Sequence, residues 1–163
     1  MFSNHLSQIS ALISIWEPKL LSLSDEIITN GKNKQNRNIK QILGHLVDSI
    51  SNNTHRIIHL QNLSSPLTFP NYASNGNNDR WIAIQNYNEE DWFDLVPLWK
   101  YSLKHFCHIV ENVDESKLDN EWIAGSGRLI SLRKMIEDFL PHLQLHLNEI
   151  EELIQSAATE SRV

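Results

Sequence analysis

The residues of this chain best suited to chemistry are its histidines, of which there are eight in 163 residues. His142 and His146 are four residues apart, so a helix would place their rings on one face. Two imidazoles at this spacing can share one divalent cation, with Zn–N distances of about 2.0–2.1 Å. His45 falls at the edge of the apolar stripe of an earlier helical segment, from where it could reach a partner helix. The sequence therefore predicts one metal site formed by three imidazoles.

A site of this kind favours catalysis over a purely structural role. Three imidazoles leave at least one coordination position of the metal open, whereas structural zinc sites are closed. Other catalytic motifs are missing from the sequence. The segment HLQLH at 142–146 has no glutamate beside its first histidine, as a zincin would have. The chain also contains no Glu-x-x-His pair of the di-iron type, no Gly-rich phosphate loop and no Gly-x-Ser-x-Gly elbow.

The remaining histidines are interpreted as solvent-exposed. His55 and His59 form a competing pair with the same spacing, but they project from the face opposite the apolar stripe of their helix. His105 and His108 lie on the outer face of a later helix, and His5 is close to the N-terminus. None of these five is expected to bind the metal.

Other residues are candidates for supporting roles around the predicted site. Asn52 and Asn53 could orient an imidazole or a substrate, or could instead form a polar contact between helices. Trp81 and Trp122 lie in predicted loops and are candidates to line a pocket over the metal. Asp48 is interpreted as a solvated carboxylate, because its position is rotated away from the apolar stripe. The sequence offers no clear general base.

Four segments with helical periodicity must position these side chains. Apolar residues recur at spacings of three and four within residues 4–24, 38–60, 89–112 and 131–157. Asn38 is the expected N-cap of the second segment, and Trp92 and Trp99 fall in the apolar stripe of the third. Residues 29–37 are predicted to be a loop, and residues 64–88 a long crossover with a short helical turn near 81–85. Strand patterns are weak, so the predicted fold is an all-α four-helix bundle in a single domain over residues 1–163, with the crossover between its second and third helices.

Prolines interrupt three of these segments. Pro18, Pro97 and Pro141 each lie within a helical pattern, where proline removes a backbone hydrogen bond and is expected to kink or break the helix. Pro141 immediately precedes His142, so a bend there could reorient the histidine pair relative to His45.

Composition narrows the class of protein. Lys and Arg number 14 against 20 Asp and Glu, and the net charge of −6 argues against a nucleic-acid binder that neutralises phosphates. The single cysteine, Cys107, lies in an apolar helical pattern and is interpreted as a core residue rather than a nucleophile. No apolar run approaches the roughly 20 residues of a membrane span, and no signal peptide is recognised. We therefore expect a cytoplasmic protein with no membrane partner.

Two segments resemble the motifs of a known superfamily. Residues 42–56, ILGHLVDSISNNTHR, resemble the second-helix motif of the DinB/YfiT-like superfamily, and HLQLH at 142–146 resembles its fourth-helix motif. The segment WIAIQ at 81–85 and Trp99 are similar to the DinB-type branch. The two histidine motifs are specific together and weak separately, and the resemblance extends over roughly residues 10–154.

This resemblance implies the superfamily's four-helix bundle and a metal triad of His45, His142 and His146. It also implies zinc, nickel or iron as the ion and a homodimeric assembly. The expected function is that of a metal-dependent hydrolase that acts on an unknown small substrate through a metal-bound water. A metal-dependent thiol S-transferase, a non-enzymatic metal-binding stress-response bundle and a metal-free structural bundle are the alternatives, since one fold hosts many functions.

Overall fold

A computed structural model of the chain describes residues 1–70 and 77–160. Its long helices are α1 (Ser3–Leu21), α3 (Ile39–Asn62), α5 (Trp92–Glu111) and α6 (Leu132–Glu160). Two short helices, α2 (Asp25–Asn30) and α4 (Asn77–Gln85), lie between them, together with 3-10 turns at Tyr87–Glu89 and Glu115–Lys117. The four predicted long helices are confirmed, and so is the all-α bundle that they form.

The core lies between the apolar stripes of the four long helices. α3 packs against α5 and α6, and α1 packs against the same two helices. Fully buried side chains on these stripes include Leu43, Leu46, Ile50, Trp99, Leu103, Phe106, Leu143 and Ile150. Each such side chain contributes about 1.5–3 kcal/mol by leaving water. Trp92 and Trp99 are both buried, which confirms their interpretation as core residues.

The N-terminus of α3 is fixed by a capping box. The Asn38 side chain accepts a hydrogen bond from the Gln41 backbone N–H at 2.9 Å, and the Gln41 side chain accepts one from the Asn38 N–H at 3.1 Å. This reciprocal pair satisfies two donors that a helix start otherwise leaves unpaired. The predicted N-cap is confirmed.

The prolines do not break the helices. α1, α5 and α6 continue past Pro18, Pro97 and Pro141 respectively. Proline removes one N–H from the hydrogen-bond ladder, but the flanking turns and the buried stripes hold the rest of each helix together. His142 and His146 therefore remain on one continuous helix.

Two features of the structure were not predicted. α2 occupies part of the region between the first two long helices, and a three-stranded sheet lies at one side of the bundle. In this sheet β1 (Leu67–Thr68) pairs in parallel with β2 (Glu121–Ile123), which pairs antiparallel with β3 (Leu129–Ser131). Strands of two or three residues are too short to show an alternating pattern.

The crossover between α3 and α5 contains β1, α4 and the first 3-10 turn. The short helical turn predicted near 81–85 is confirmed as the C-terminal part of α4. Residues 71–76 of the predicted loop lie outside the described residues. Tyr87 of the 3-10 turn is buried and packs directly on Gly44 of α3, where an added Cβ would overlap its ring. Within the described ranges no helix has the length and apolarity needed to cross a membrane.

Candidate metal centre

Two neighbouring positions of α3 face different parts of the molecule. His45 and Ser49 are one turn apart and face α6, where the Ser49 hydroxyl lies 3.5 Å from His142 Nδ1. Gly44 and Asp48 are also one turn apart and face the crossover, where both contact Tyr87. His45 and Asp48 therefore lie on different faces of α3, the first toward α6 and the second toward the crossover.

The structure brings His45, His142 and His146 together. One ring nitrogen of each lies within 4.8 Å of those of the other two. The ring centroid of His45 lies 5.5 Å from the ring centroid of His142 and 4.6 Å from that of His146. The Nε2 atoms of His142 and His146 are 3.2 Å apart. Within residues 1–70 and 77–160, this is the one group of three or more potential ligands close enough to hold an ion.

Burial keeps two of these imidazoles neutral. Loss of solvent lowers the pKa of His45 to about 3, helped by the nearby His146, His142 and the positive charge of Arg37. Burial and the neighbouring His146 lower the pKa of His142 to about 4. Both rings are therefore unprotonated at neutral pH, which is the state in which imidazole binds a metal.

The outer nitrogens of the α6 pair have hydrogen-bond partners. His146 Nδ1 lies 2.9 Å from Glu149 Oε2, and the same oxygen accepts a hydrogen bond of 3.1 Å from the Asn33 side-chain amide. His142 Nδ1 lies near the Ser49 hydroxyl, to which the Asn53 amide donates at 3.3 Å. Partners of this kind set the tautomer and orientation of metal-binding histidines.

Sequence reasoning missed Glu149 and Asn33. A signal for Glu149 was present, since an acid three residues after a histidine lies on the same helix face. Asn33 reaches the site from the loop before α3, and no periodicity marks such a contact.

His45 provides a test of whether a cation fits this site. Its Nδ1 is buried and, among the residues that the structure describes, has no hydrogen-bond partner. A buried nitrogen without a partner costs about 1–3 kcal/mol. A divalent cation accepts the lone pairs of neutral imidazoles, so this donor set fits such an ion.

The structure corrects the interpretation of Asp48. This residue is 3% exposed rather than solvated, and its Oδ1 accepts hydrogen bonds from the Tyr87 hydroxyl at 2.7 Å and from the Gln85 amide. Burial raises the pKa of its carboxyl group. The prediction failed because helical periodicity distinguishes core from outside, but does not show that a crossover covers the outside.

The remaining candidates are distributed over the molecule. The Asn52 side chain donates to the Asp48 carbonyl oxygen of its own helix at 2.9 Å. Trp81 lies on α4 and is 39% exposed. Trp122 lies on β2, with its ring 4.2 Å from the Arg56 guanidinium. Since Arg56 is about 16 Å along α3 from His45, the structure places Trp122 away from the triad.

Four of the other histidines are exposed as predicted, whereas His5 is partly buried, and Cys107 is a partly buried residue packed against the core. His55, His59, His105 and His108 are all exposed. His5 lies in the first turns of α1 and is partly buried. Burial raises the pKa of the Cys107 thiol to about 11, which keeps the thiol protonated at neutral pH.

No protein-family model matches the chain, and no curated protein matches it in sequence. Solved structures do match its fold. YfiT from Bacillus subtilis, described as a probable metal-dependent hydrolase with an unusual four-helix bundle topology, superposes with a TM-score of 0.81 at 13% identity, over 96% of this chain and 87% of YfiT. The mycothiol-dependent maleylpyruvate isomerase and a histidine-to-alanine mutant of it each superpose with a TM-score of 0.73 at 11% identity, over 92% of this chain.

These likenesses show the fold. The chain spans 60% of the length of the isomerase and most of the length of YfiT. They confirm the four-helix bundle fold that the resemblance of the two histidine motifs implied.

Proposed function

We propose that this protein binds one divalent metal ion through His45, His142 and His146 and uses it to hydrolyse a small substrate. The observation that carries the proposal is the convergence of three imidazole rings from two helices in a largely buried space. Two of these rings have a pKa well below neutrality, so they are available as ligands at physiological pH.

Each residue of the site has a definite part in this arrangement. Glu149 accepts a hydrogen bond from the Nδ1–H of His146, which leaves the Nε2 lone pair of His146 directed toward His142 Nε2. Ser49 stands in the corresponding place beside His142 Nδ1. When bound, a divalent cation supplies Lewis acidity and lowers the pKa of a coordinated water to about 7. Three protein ligands leave room for that water or for the substrate.

The hydrolase assignment is supported by the description of YfiT as a probable metal-dependent hydrolase. A second candidate is a thiol-dependent transfer reaction, favoured by the mycothiol dependence of the isomerase with the same fold. In that reaction the triad would hold a cation that favours the thiolate form of a small thiol cosubstrate. The two candidates share one metal site and differ only in the nucleophile.

Metal analysis tests the shared part of the proposal. Protein purified without an affinity tag is expected to contain one equivalent of zinc, nickel or iron, and the His45→Ala variant to contain almost none. His59→Ala is the matched control, because His59 is an exposed histidine of the same helix. A His45→Ala protein that kept its stoichiometric ion would overturn the triad.

Activity screening distinguishes the two reactions. Wild-type protein would be assayed for hydrolysis of model esters and amides, and for transfer of small thiols to electrophiles. The active reaction should be lost in parallel with the ion in His45→Ala and retained in His59→Ala. A folded, metal-loaded protein inactive in both screens would favour a non-enzymatic metal-binding function.

A further inference from the structure

Asn33 closes the loop between α2 and α3 into a compact turn. Its side-chain oxygen accepts hydrogen bonds of 3.0 Å from the backbone N–H groups of Gln35 and Arg37. Its backbone N–H donates to the Arg37 carbonyl oxygen at 2.9 Å, and its own carbonyl oxygen accepts from the Asn36 N–H at the same distance. Asn36 has a φ of 61°, the left-handed conformation that asparagine tolerates in turns. These bonds fix the shape of residues 33–37.

The same bonds fix which way the Asn33 side-chain amide points. The oxygen and the nitrogen of an amide are distinguished by their hydrogen-bond partners. Two backbone N–H groups face one side of this amide, so that side carries the oxygen. The nitrogen therefore points away from the turn, and it donates to Glu149 Oε2 on α6 at 3.1 Å. The turn thus presents a donor, and not an acceptor, to this carboxylate.

The turn is also anchored to other parts of the molecule. Where it ends, Arg37 pairs with Asp79 of α4, and Asn38 caps α3. Just before it begins, Gly31 lies so near Leu153 of α6 that an added Cβ would be in van der Waals contact with that side chain. The Asn33 donor is therefore held in place by contacts formed elsewhere. Little conformational entropy is lost when it bonds to a carboxylate.

Glu149 needs such a donor because burial alone does not hold its side chain. The Glu149 side chain is 24% exposed, whereas that of His146 is 6% exposed. Its Oε2 accepts hydrogen bonds both from the His146 imidazole at 2.9 Å and from the Asn33 amide. A long side chain with access to water has several rotamers open to it. The charge-assisted bond from Asn33 selects the rotamer that also meets His146.

We infer that Asn33 is a positioning residue of the metal centre, and that it acts through Glu149 to orient the His146 imidazole. The inference rests on the proposed function and adds that a loop outside the bundle core sets the strength of one ligand. A metal-binding histidine is oriented by the partner of its outer ring nitrogen. By holding that partner, Asn33 keeps the proton of His146 on Nδ1 and leaves Nε2 available to the ion.

Exchange of donor and acceptor tests this role. Asn33→Asp keeps the oxygen that closes the turn but presents a second carboxylate oxygen to Glu149, so it should bind zinc about tenfold more weakly than wild type. When Asn33→Asp is combined with Glu149→Gln, the new amide can donate to the new carboxylate. The double variant should therefore bind zinc at least about fivefold more tightly than two additive losses would give. Asn36→Asp is the matched control, because it makes the same change of charge at an exposed residue of the same turn, and it should bind as wild type does.

Wild-type zinc affinity in Asn33→Asp, or additive losses in the double variant, would overturn the inference. Should Asn33→Asp fail to fold, Asn33→Ser takes its place, since a serine hydroxyl can still accept from the turn but is too short to reach Glu149. Unchanged zinc affinity in that variant would equally contradict the role of Asn33.

Nitrogen NMR of the His146 ring in chelator-treated protein separates this inference from the proposed function. Wild type should carry the ring proton on Nδ1, and Asn33→Ser should show a mixture of the two tautomers. If wild-type protein binds no zinc, the proposed function fails and this spectrum decides the role of Asn33. The same single tautomer in both proteins would then overturn the inference as well.

Discussion

Glu149 lies one turn beyond His146 on α6, with its Oε2 2.9 Å from the Nδ1 atom of that imidazole. The Asn33 amide holds the same oxygen from the loop that precedes α3. The orientation of one proposed ligand therefore depends on a carboxylate of its own helix and on an amide from a distant loop.

The Glu149→Gln variant should bind zinc about 10- to 100-fold more weakly than wild type, because an amide is a poorer partner for the imidazole N–H. Competition with a chromogenic chelator would measure this affinity. Glu152→Gln is the matched control, as Glu152 is an exposed residue of the same helix. Equal zinc affinities for wild type and Glu149→Gln would show that this carboxylate has no part in the site.

The metal-free protein should lose stability in mild acid. The pKa values of His45 and His142 are about 3 and 4 in the folded chain, below their ordinary value of 6.5. Both rings therefore take up protons more readily when the chain unfolds, and the stability present above pH 6.5 is lost as the pH falls toward 4. At about pH 5 the loss amounts to roughly 2 kcal/mol for each histidine.

Urea unfolding of chelator-treated protein at about pH 7.5 and pH 5 would measure this loss. The His142→Gln variant should show a smaller difference between the two pH values than wild type. His59→Gln should show the same difference as wild type, since His59 is exposed. Identical pH dependence in wild type and His142→Gln would contradict the prediction.

Substitution of Gly44 by alanine should destabilise the fold by about 1–3 kcal/mol, because the new Cβ would overlap the Tyr87 ring. Denaturant unfolding would measure the change. Gly31→Ala is the control, since a Cβ at Gly31 meets only Leu153 at 3.5 Å, an ordinary contact. Truncation of Tyr87 to alanine in the Gly44→Ala background should remove most of the clash, and a double-mutant cycle without such coupling would disprove the contact.

Tyr87→Phe should cost about 1–3 kcal/mol of stability, because it removes the hydroxyl that donates to the buried Asp48 carboxylate. Thermal unfolding at neutral pH would measure this loss. Tyr101→Phe, at an exposed tyrosine of α5, should be close to neutral. If the two variants have the same Tm, the Tyr87 hydroxyl does not stabilise Asp48.

The sequence was sufficient to predict those features that depend only on where a residue falls on its own helix. The spacing of His142 and His146 placed both rings on one face of α6, and the position of His45 placed it beside the apolar stripe of α3. The capping role of Asn38 was equally local. Each of these depends on residues within two turns of one another.

Contacts between distant segments were not predictable in this way. Asp48 was misread because Tyr87 and Gln85, which cover it, belong to the crossover. Arg37 and Asn33 were predicted only as loop residues, although Arg37 pairs with Asp79 of α4 and the Asn33 amide donates to Glu149 of α6. The pairing of β1 with β2 joins segments that are far apart in the chain. Both strands are too short to show the alternation of apolar and polar residues that predicts a strand.

The three imidazoles belong to two helices that are far apart in the chain, since His45 is on α3 and the other two are on α6. An ion held by all three would consequently act as a cross-link as well as a reagent. At a free concentration one hundred times its dissociation constant, such an ion would add about 2.7 kcal/mol to the folding free energy. The persistence of the folded chain would then track the supply of the metal in its surroundings.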